Sequence, residues 1–148
     1  RQIMKITNEM KKKITLRLAN DPDSRVRADA YSSPLMPKEK LSKMARNPKA
    51  DKEEKIAVAS NPNTPPEDLD RLADDNTTWG VKEAVAKNPS VWQKTLEKLA
   101  KDKHYSVRCA VISNPNVTPE IIIALSNDSN LWVKKVLLQA IMRDAKAE

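Results

Sequence analysis

With 148 residues, 27 Lys and Arg against 20 Asp and Glu, and a formal charge of +7, the chain suits one compact domain or a short repeat array. A single glycine argues against folds that rely on glycine-lined phosphate loops or repeated tight hairpins, and a single cysteine, Cys109, excludes an internal disulfide or a cysteine-based metal cluster. No apolar run approaches the roughly 20 residues of a membrane span and no signal-peptide pattern opens the chain, so a soluble protein in a reducing cytoplasm is expected.

Taken from the N-terminus, Ile3, Ile6, Met10, Ile14 and Leu18 recur at near-helical spacing with Lys11, Lys12 and Lys13 outside, which predicts a helix that covers the first repeat, its cap segment being residues 1–14. A periodic signal then takes over. Ser33-Pro34, Asn61-Pro62, Asn88-Pro89 and Asn114-Pro115 share one frame, with Pro-to-Pro steps of 28, 27 and 26 residues. Seven residues after each proline stands Leu41, Leu69, Leu96 or Ile122, and three further on Met44, Leu72, Leu99 or Leu125, which marks one face of a first short helix. Val26, Val81, Val107 and Val133 open a second helix, whose stripe continues as Ala84 and Val85, Ala110 and Val111, or Val136 and Leu137. Proline lacks a backbone donor and pushes the residue before it out of the helical region, so each Asn-Pro ends a helix. Thr64 and Thr118, each followed by proline and a glutamate, predict the next helix start.

A lone pair of such helices has too little apolar face to stand alone, and stacking buries it. The expected fold is therefore an all-α solenoid of about five helix-turn-helix repeats, at 15–40, 41–68, 69–95, 96–121 and 122–148, forming one repeat domain over 1–148. Repeat two is irregular: Glu54 stands where valine is expected, and its second helix is expected to lean on Ile56, Ala57 and Val58. The last helix carries Leu137, Leu138 and Ile141, greasier than a solvent-facing cap, which either seals repeat five or docks another subunit.

The string from Asn61 through Leu69, Leu72 and Ala73, continued by Val81, Lys82, Ala84, Val85, Asn88 and Pro89, resembles the leucine-rich repeat variant family of bacterial proteins, with a more distant likeness to HEAT-like repeats. The resemblance implies a right-handed superhelix of alternating α- and 3₁₀-helices without sheet, and no shared enzymatic activity. One member of that family carries an iron–sulfur cluster on an N-terminal cysteine group. This chain has no such group, and no cofactor is expected.

A basic residue recurs at one frame position as Arg27, Lys55, Lys82, Arg108 and Lys134. On a stacked array these form a ladder that either tracks phosphates of a nucleic acid or pairs across repeats with Asp21, Asp75, Asp102 and Asp128. Trp79 and Tyr105 coincide two positions before the valine, with Trp132 one step out; they either stack on a partner or, the expected role, pack as staples at the start of the second helix. Trp92 is expected to fill the gap where prolines stand in other repeats. Charge alternates along the chain, +7 over residues 1–55, −4 over 56–75 and +4 over 76–108, which interrupts any continuous basic groove.

Glu67, Asp70 and Asp74 share a helix side, an arrangement more readily explained by a helix N-terminus than by a cation. His104 and Cys109 lack an orienting acid for nucleophilic work. The sequence thus points to a non-catalytic scaffold without metal or cofactor. Its partner is expected to be a protein or peptide, bound through Arg27, Lys55, Lys82, Arg108, Lys134, Trp79 and Tyr105. Nucleic-acid binding through the basic N-terminal third is the competing class, and Leu137, Leu138 and Ile141 offer a surface for oligomerisation.

Overall fold

A computed structural model describes residues 4–74 and 78–147. Among the described residues every regular element is an α-helix. In chain order they are α1 (Asn8–Leu18), α2 (Ser24–Tyr31), α3 (Lys38–Ala45), α4 (Lys52–Ser60), α5 (Pro66–Leu72), α6 (Trp79–Lys87), α7 (Gln93–Leu99), α8 (Tyr105–Ile112), α9 (Pro119–Leu125) and α10 (Leu131–Ala147). The helices form pairs, and the pairs stack as an α-solenoid. The short first helices α3, α5, α7 and α9 are α-helical, which corrects the 3₁₀ geometry implied by the family resemblance.

Each pair buries one core layer. Leu41, Leu69 and Leu96 are fully buried from the first helices, and Val58, Val81, Val85, Val107, Val111 and Val133 from the second. The second helices α2, α4, α6, α8 and α10 pack directly on one another in sequence, whereas the first helices meet each other much less. Small side chains on this row, Ala59, Ala86 and Ala110 among them, permit that close approach. The stack therefore bends toward the second helices, whose exposed side is its concave face.

The Asn-Pro punctuation has a second purpose beyond breaking helices. Asn61 Nδ2 donates to the carbonyls of Tyr31 and Ser33, Asn88 Nδ2 to those of Ala59 and Asn61, and Asn114 Nδ2 to those of Ala86 and Asn88. The same three side chains accept, through Oδ1, the N–H two residues on, from Asn63, Ser90 and Asn116. A buried amide spine thus runs through successive repeats and adds a donor to helix-terminal and turn carbonyls, of which those of Ser33, Asn61 and Asn88 also accept the N–H three residues on. Beside it runs an outer row, in which Asn63, Ser90 and Asn116 side chains donate to the carbonyls of Pro34, Pro62 and Pro89.

Several local expectations are corrected. Thr118 caps α9 by accepting the Ile121 N–H, but Thr64 does not cap α5: its buried hydroxyl donates back to the Val58 carbonyl, and Pro65 holds the N-cap position instead. In α1, Leu16 packs on the core and Ala19, its C-cap, is buried, while Met10, Ile14 and Leu18 stay exposed. The helix occupies the place of a first helix, so only the side turned toward α2 is covered. Ile3 lies outside the described residues. Repeat two does rest on buried Ala57 and Val58, with Ile56 half-buried against it. In α10, Leu137 is buried and seals the last layer, which removes it from any oligomerisation surface; Leu138 and Ile141 are exposed.

Candidate functional site

The recurring cations form cross-repeat braces. Lys82 Nζ donates to Asp102 Oδ2 at 2.9 Å, and the side chains of both are almost fully buried. Arg108 reaches Asp128 with Nε at 2.7 Å and Nη2 at 3.1 Å, and gives Nη1 to the carbonyl of Asp102 at 2.8 Å. Arg27 does the same upstream, with Nη1 on the Asp21 carbonyl and Nε on Glu54 Oε2 at 3.2 Å. Glu54, the odd residue in the valine frame, is thereby explained: it is buried, it closes a capping box with Asp51, and it meets Arg27 from the previous repeat. Lys55 is engaged as well. Asp75, the acid expected in the same frame as Asp102 and Asp128, lies outside the described residues. Lys134 is exposed and acts on Asp128 only through space, weakly lowering its carboxyl.

Electrostatics follow the geometry. The Arg108 guanidinium holds the Asp128 carboxyl below its ordinary value, against a smaller opposing effect of burial. For Asp102 burial is the largest influence and pulls upward, but the His104 N–H and the Lys82 ammonium together outweigh it and leave the carboxyl lowered. A ladder of cations consumed in this way braces the stack, and Lys82 and Arg108 present little charge to an outside anion.

The aromatic residues behave differently. Trp79 is 51% exposed, Tyr105 41% and Trp132 53%, so they are not buried staples. Their frame position is the outer side of a helix start, where the preceding turn cannot cover a large ring. Trp79 and Tyr105 sandwich His104, with ring centroids at 4.8 and 5.3 Å and planes within 16° of parallel. His104 is held there because it caps α8: its Nδ1 accepts the Ser106 N–H and contacts the Ser106 hydroxyl at 2.6 Å. Lys135 lies over Trp132 at 5.3 Å. Trp92 stands at the N-cap of α7, the position Pro65 holds for α5, and stays partly exposed with Lys94 over its ring at 4.5 Å.

Between these rings the second helices leave an open groove of about 440 Å³, lined by Glu83, Lys87, Tyr105, Cys109, Trp132 and Val136 among others. Cys109 is half-buried there, and burial pushes its thiol up, which keeps it protonated and a poor nucleophile near neutral pH. Nδ1 of His104 is taken up in capping. The acidic helix side is likewise engaged: Asp70 accepts from the Thr95 hydroxyl at 2.6 Å and Lys98 at 3.3 Å, and Asp74 pairs with Lys98 at 2.9 Å. Among the described residues no cluster of His, Cys, Asp and Glu is arranged to hold a metal ion, and no helix is long and apolar enough to cross a membrane.

Residues 53–76, which take in most of α4 and all of α5, match the leucine rich repeat variant family. This is the family that the repeat string resembles. No curated protein and no solved structure matches the chain.

Proposed function

We propose that this protein is a non-catalytic repeat scaffold that takes up a segment of another protein along the concave face of its second helices. The observation that carries the reading is the row Trp79, Tyr105 and Trp132, large aromatic rings kept exposed at the starts of α6, α8 and α10, the last three second helices. Exposed aromatics on fixed elements make strong contact points at little entropic cost, and contiguous apolar surface of this kind marks docking sites. The groove beside Tyr105 and Trp132 accepts a side chain of the bound segment, while Glu83 and Lys87 at its wall select for polar neighbours. In this reading Arg27, Lys82 and Arg108 keep the repeats in register and so preorganise the face, and Trp79 and Tyr105 are the contacts.

The matched family supports a repeat scaffold of the kind commonly used for protein interaction. Nucleic-acid binding is disfavoured by the pairing of the ladder cations. Selection of peptides from a displayed random library tests the proposal. Peptides that bind the wild-type protein and lose binding on Trp79→Ala or Tyr105→Ala support it. Failure to select any, together with binding of single-stranded RNA that collapses with salt, favours the nucleic-acid reading.

A further inference from the structure

One turn of the stack departs from the frame that the braces follow. Asp102 and Asp128 each hold the turn before a second helix by accepting the N–H two residues on, and each takes a cation of the previous repeat on the same carboxylate. Repeat two has Asn47 in that place. Its Oδ1 still accepts the Lys49 N–H at 2.9 Å, so the turn is kept while the negative charge is lost. Arg27 of the previous repeat goes to Glu54 and Asp51 instead.

Beside Asn47, between α3 and α5 in the interior of the stack, lies an open cleft of about 270 Å³ lined by Arg46, Asn47, Lys55, Arg71 and Asp74 among others. Lys55 is engaged, and Asp74 is drawn to Lys98 at 2.9 Å. Arg46 holds the buried Asp68 through Nε alone, at 3.2 Å, and gives Nη2 to the Ser42 hydroxyl at 2.8 Å. The pair is not bidentate, since Asp68 Oδ2 receives no donor, and Arg46 Nη1 has no partner among the described residues. Arg71 is exposed and pairs with no acid among the described residues. The cleft sits in a basic stretch: residues 38–55 hold seven Lys and Arg against four Asp and Glu, of which Glu54 is buried with Arg27.

The charge belongs to this cleft and not to the repeat. Between α7 and α9 the equivalent cleft, about 330 Å³, is lined by Glu97, Glu120 and Asp128 with Lys101, and Ala124 stands where Arg71 does. Between α5 and α7, Lys98 holds the place of Arg71 and is consumed by Asp70 and Asp74.

We propose that this cleft binds a phosphate group, either the free anion or a phosphomonoester on a side chain, gripped by the guanidinium groups of Arg71 and Arg46 with the Asn47 amide as a neutral donor. Planar guanidinium forks match the paired oxygens of a phosphate, and its charge of about −1.5 to −2 at pH 7 offsets cations that the acids of the cleft leave unanswered. An acid at position 47, as Asp102 and Asp128 are in their repeats, would repel the same group. The site is built from α3, α4, α5 and the turn after α3, so it stands independently of the aromatic row on α6, α8 and α10.

NMR titration of the full 148-residue chain with inorganic phosphate, and separately with phosphoserine, tests this, with an equal concentration of chloride as the reference. Saturable shifts centred on Arg46, Asn47 and Arg71 are expected with phosphate, phosphoserine or both, and none with chloride. Saturation by phosphate alone makes the free anion the ligand, and saturation by phosphoserine makes it a phosphorylated side chain. Arg71→Ala, at an exposed position, and Asn47→Asp are each expected to weaken binding at least about tenfold, the first by loss of a guanidinium and the second by repulsion. Arg71→Lys, which keeps the charge but not the fork, is expected to fall between Arg71→Ala and the wild type. Circular dichroism confirms that each variant is folded. No saturable shift with either probe, shifts spread evenly over the surface lysines, or affinity indifferent to Arg71→Ala or Asn47→Asp overturns the proposal. Binding of a short single-stranded RNA at the same residues that neither probe displaces overturns the phosphomonoester assignment.

Discussion

Asn88 stands one repeat after Asn61, and its buried side-chain amide donates to the Asn61 carbonyl at 2.9 Å while a second hydrogen of the same amide reaches the Ala59 carbonyl at 2.8 Å. Without the amide the Asn61 carbonyl keeps the Thr64 N–H, whereas the Ala59 carbonyl loses this donor. Asn88→Ala is expected to destabilise the protein by about 2 kcal/mol, the cost of depriving the Ala59 carbonyl of its side-chain donor and losing the turn to Ser90. Asn88→Asp keeps the turn acceptor for the Ser90 N–H but loses both donors, and is expected to cost as much. Urea unfolding measures both. A change of a few tenths for Asn88→Ala would show that the spine is incidental.

The Arg108–Asp128 brace makes a double-mutant prediction. Breaking a buried pair by removing one partner leaves the other charge stranded, at about 3 kcal/mol, whereas replacing both with apolar groups of similar size is often close to neutral. Asp128→Leu alone is therefore expected to be more damaging than Arg108→Met combined with Asp128→Leu. Thermal melts of the single and double variants check the order, and equal additive losses would contradict it.

Acid is expected to loosen the same ladder. The Asp128 carboxyl is lowered chiefly by Arg108, and that of Asp102 is lowered despite its burial. A carboxyl whose pKa is lower folded than unfolded adds stability above its unfolded value, about 4, and that stability disappears as pH falls through the folded value. Melting temperature should thus hold between roughly pH 5 and 8 and fall below about pH 4. In the Arg108→Met, Asp128→Leu variant the fall should be shallower. An unchanged acid slope would place the titrating groups elsewhere.

Gly80 offers a stabilising change. It lies in the first turn of α6 with no positive φ, and an added Cβ would sit 3.6 Å from Ile56 Cδ1, an ordinary contact. Gly80→Ala is expected to stabilise by about 0.5 kcal/mol through the unfolded chain and helix preference. Loss of stability in urea unfolding would mean that the α4–α6 contact tolerates no extra methyl group.

Much of this architecture is legible in the sequence, because proline placement and apolar spacing are local signals that set where helices begin and which side they bury. The spine is less so. Asn61, Asn88 and Asn114 read as helix breakers, but their donors are aimed at carbonyls a full repeat away, which only stacking brings near. Glu54 reads as a defect for the same reason, its partner Arg27 lying in the previous repeat. Trp79 and Tyr105 mislead because large aromatics are mostly buried, whereas the outer side of a helix start leaves them in solvent. Leu137 and Leu138 are adjacent in sequence but about 100° apart around α10, so one seals the core and the other faces out. The frame of Val85 and Val111, continued to Leu137, is the signal that separates them.

Titration calorimetry of a selected peptide against the wild type and a Trp79→Ala, Tyr105→Ala, Trp132→Ala variant, at low and high salt, decides whether the aromatic row is the binding face. Binding is expected to survive high salt in the wild type and to be lost in the variant, while the variant's melting temperature stays close to that of the wild type because these rings are largely exposed. Equal affinity of the two proteins for the peptide would contradict it.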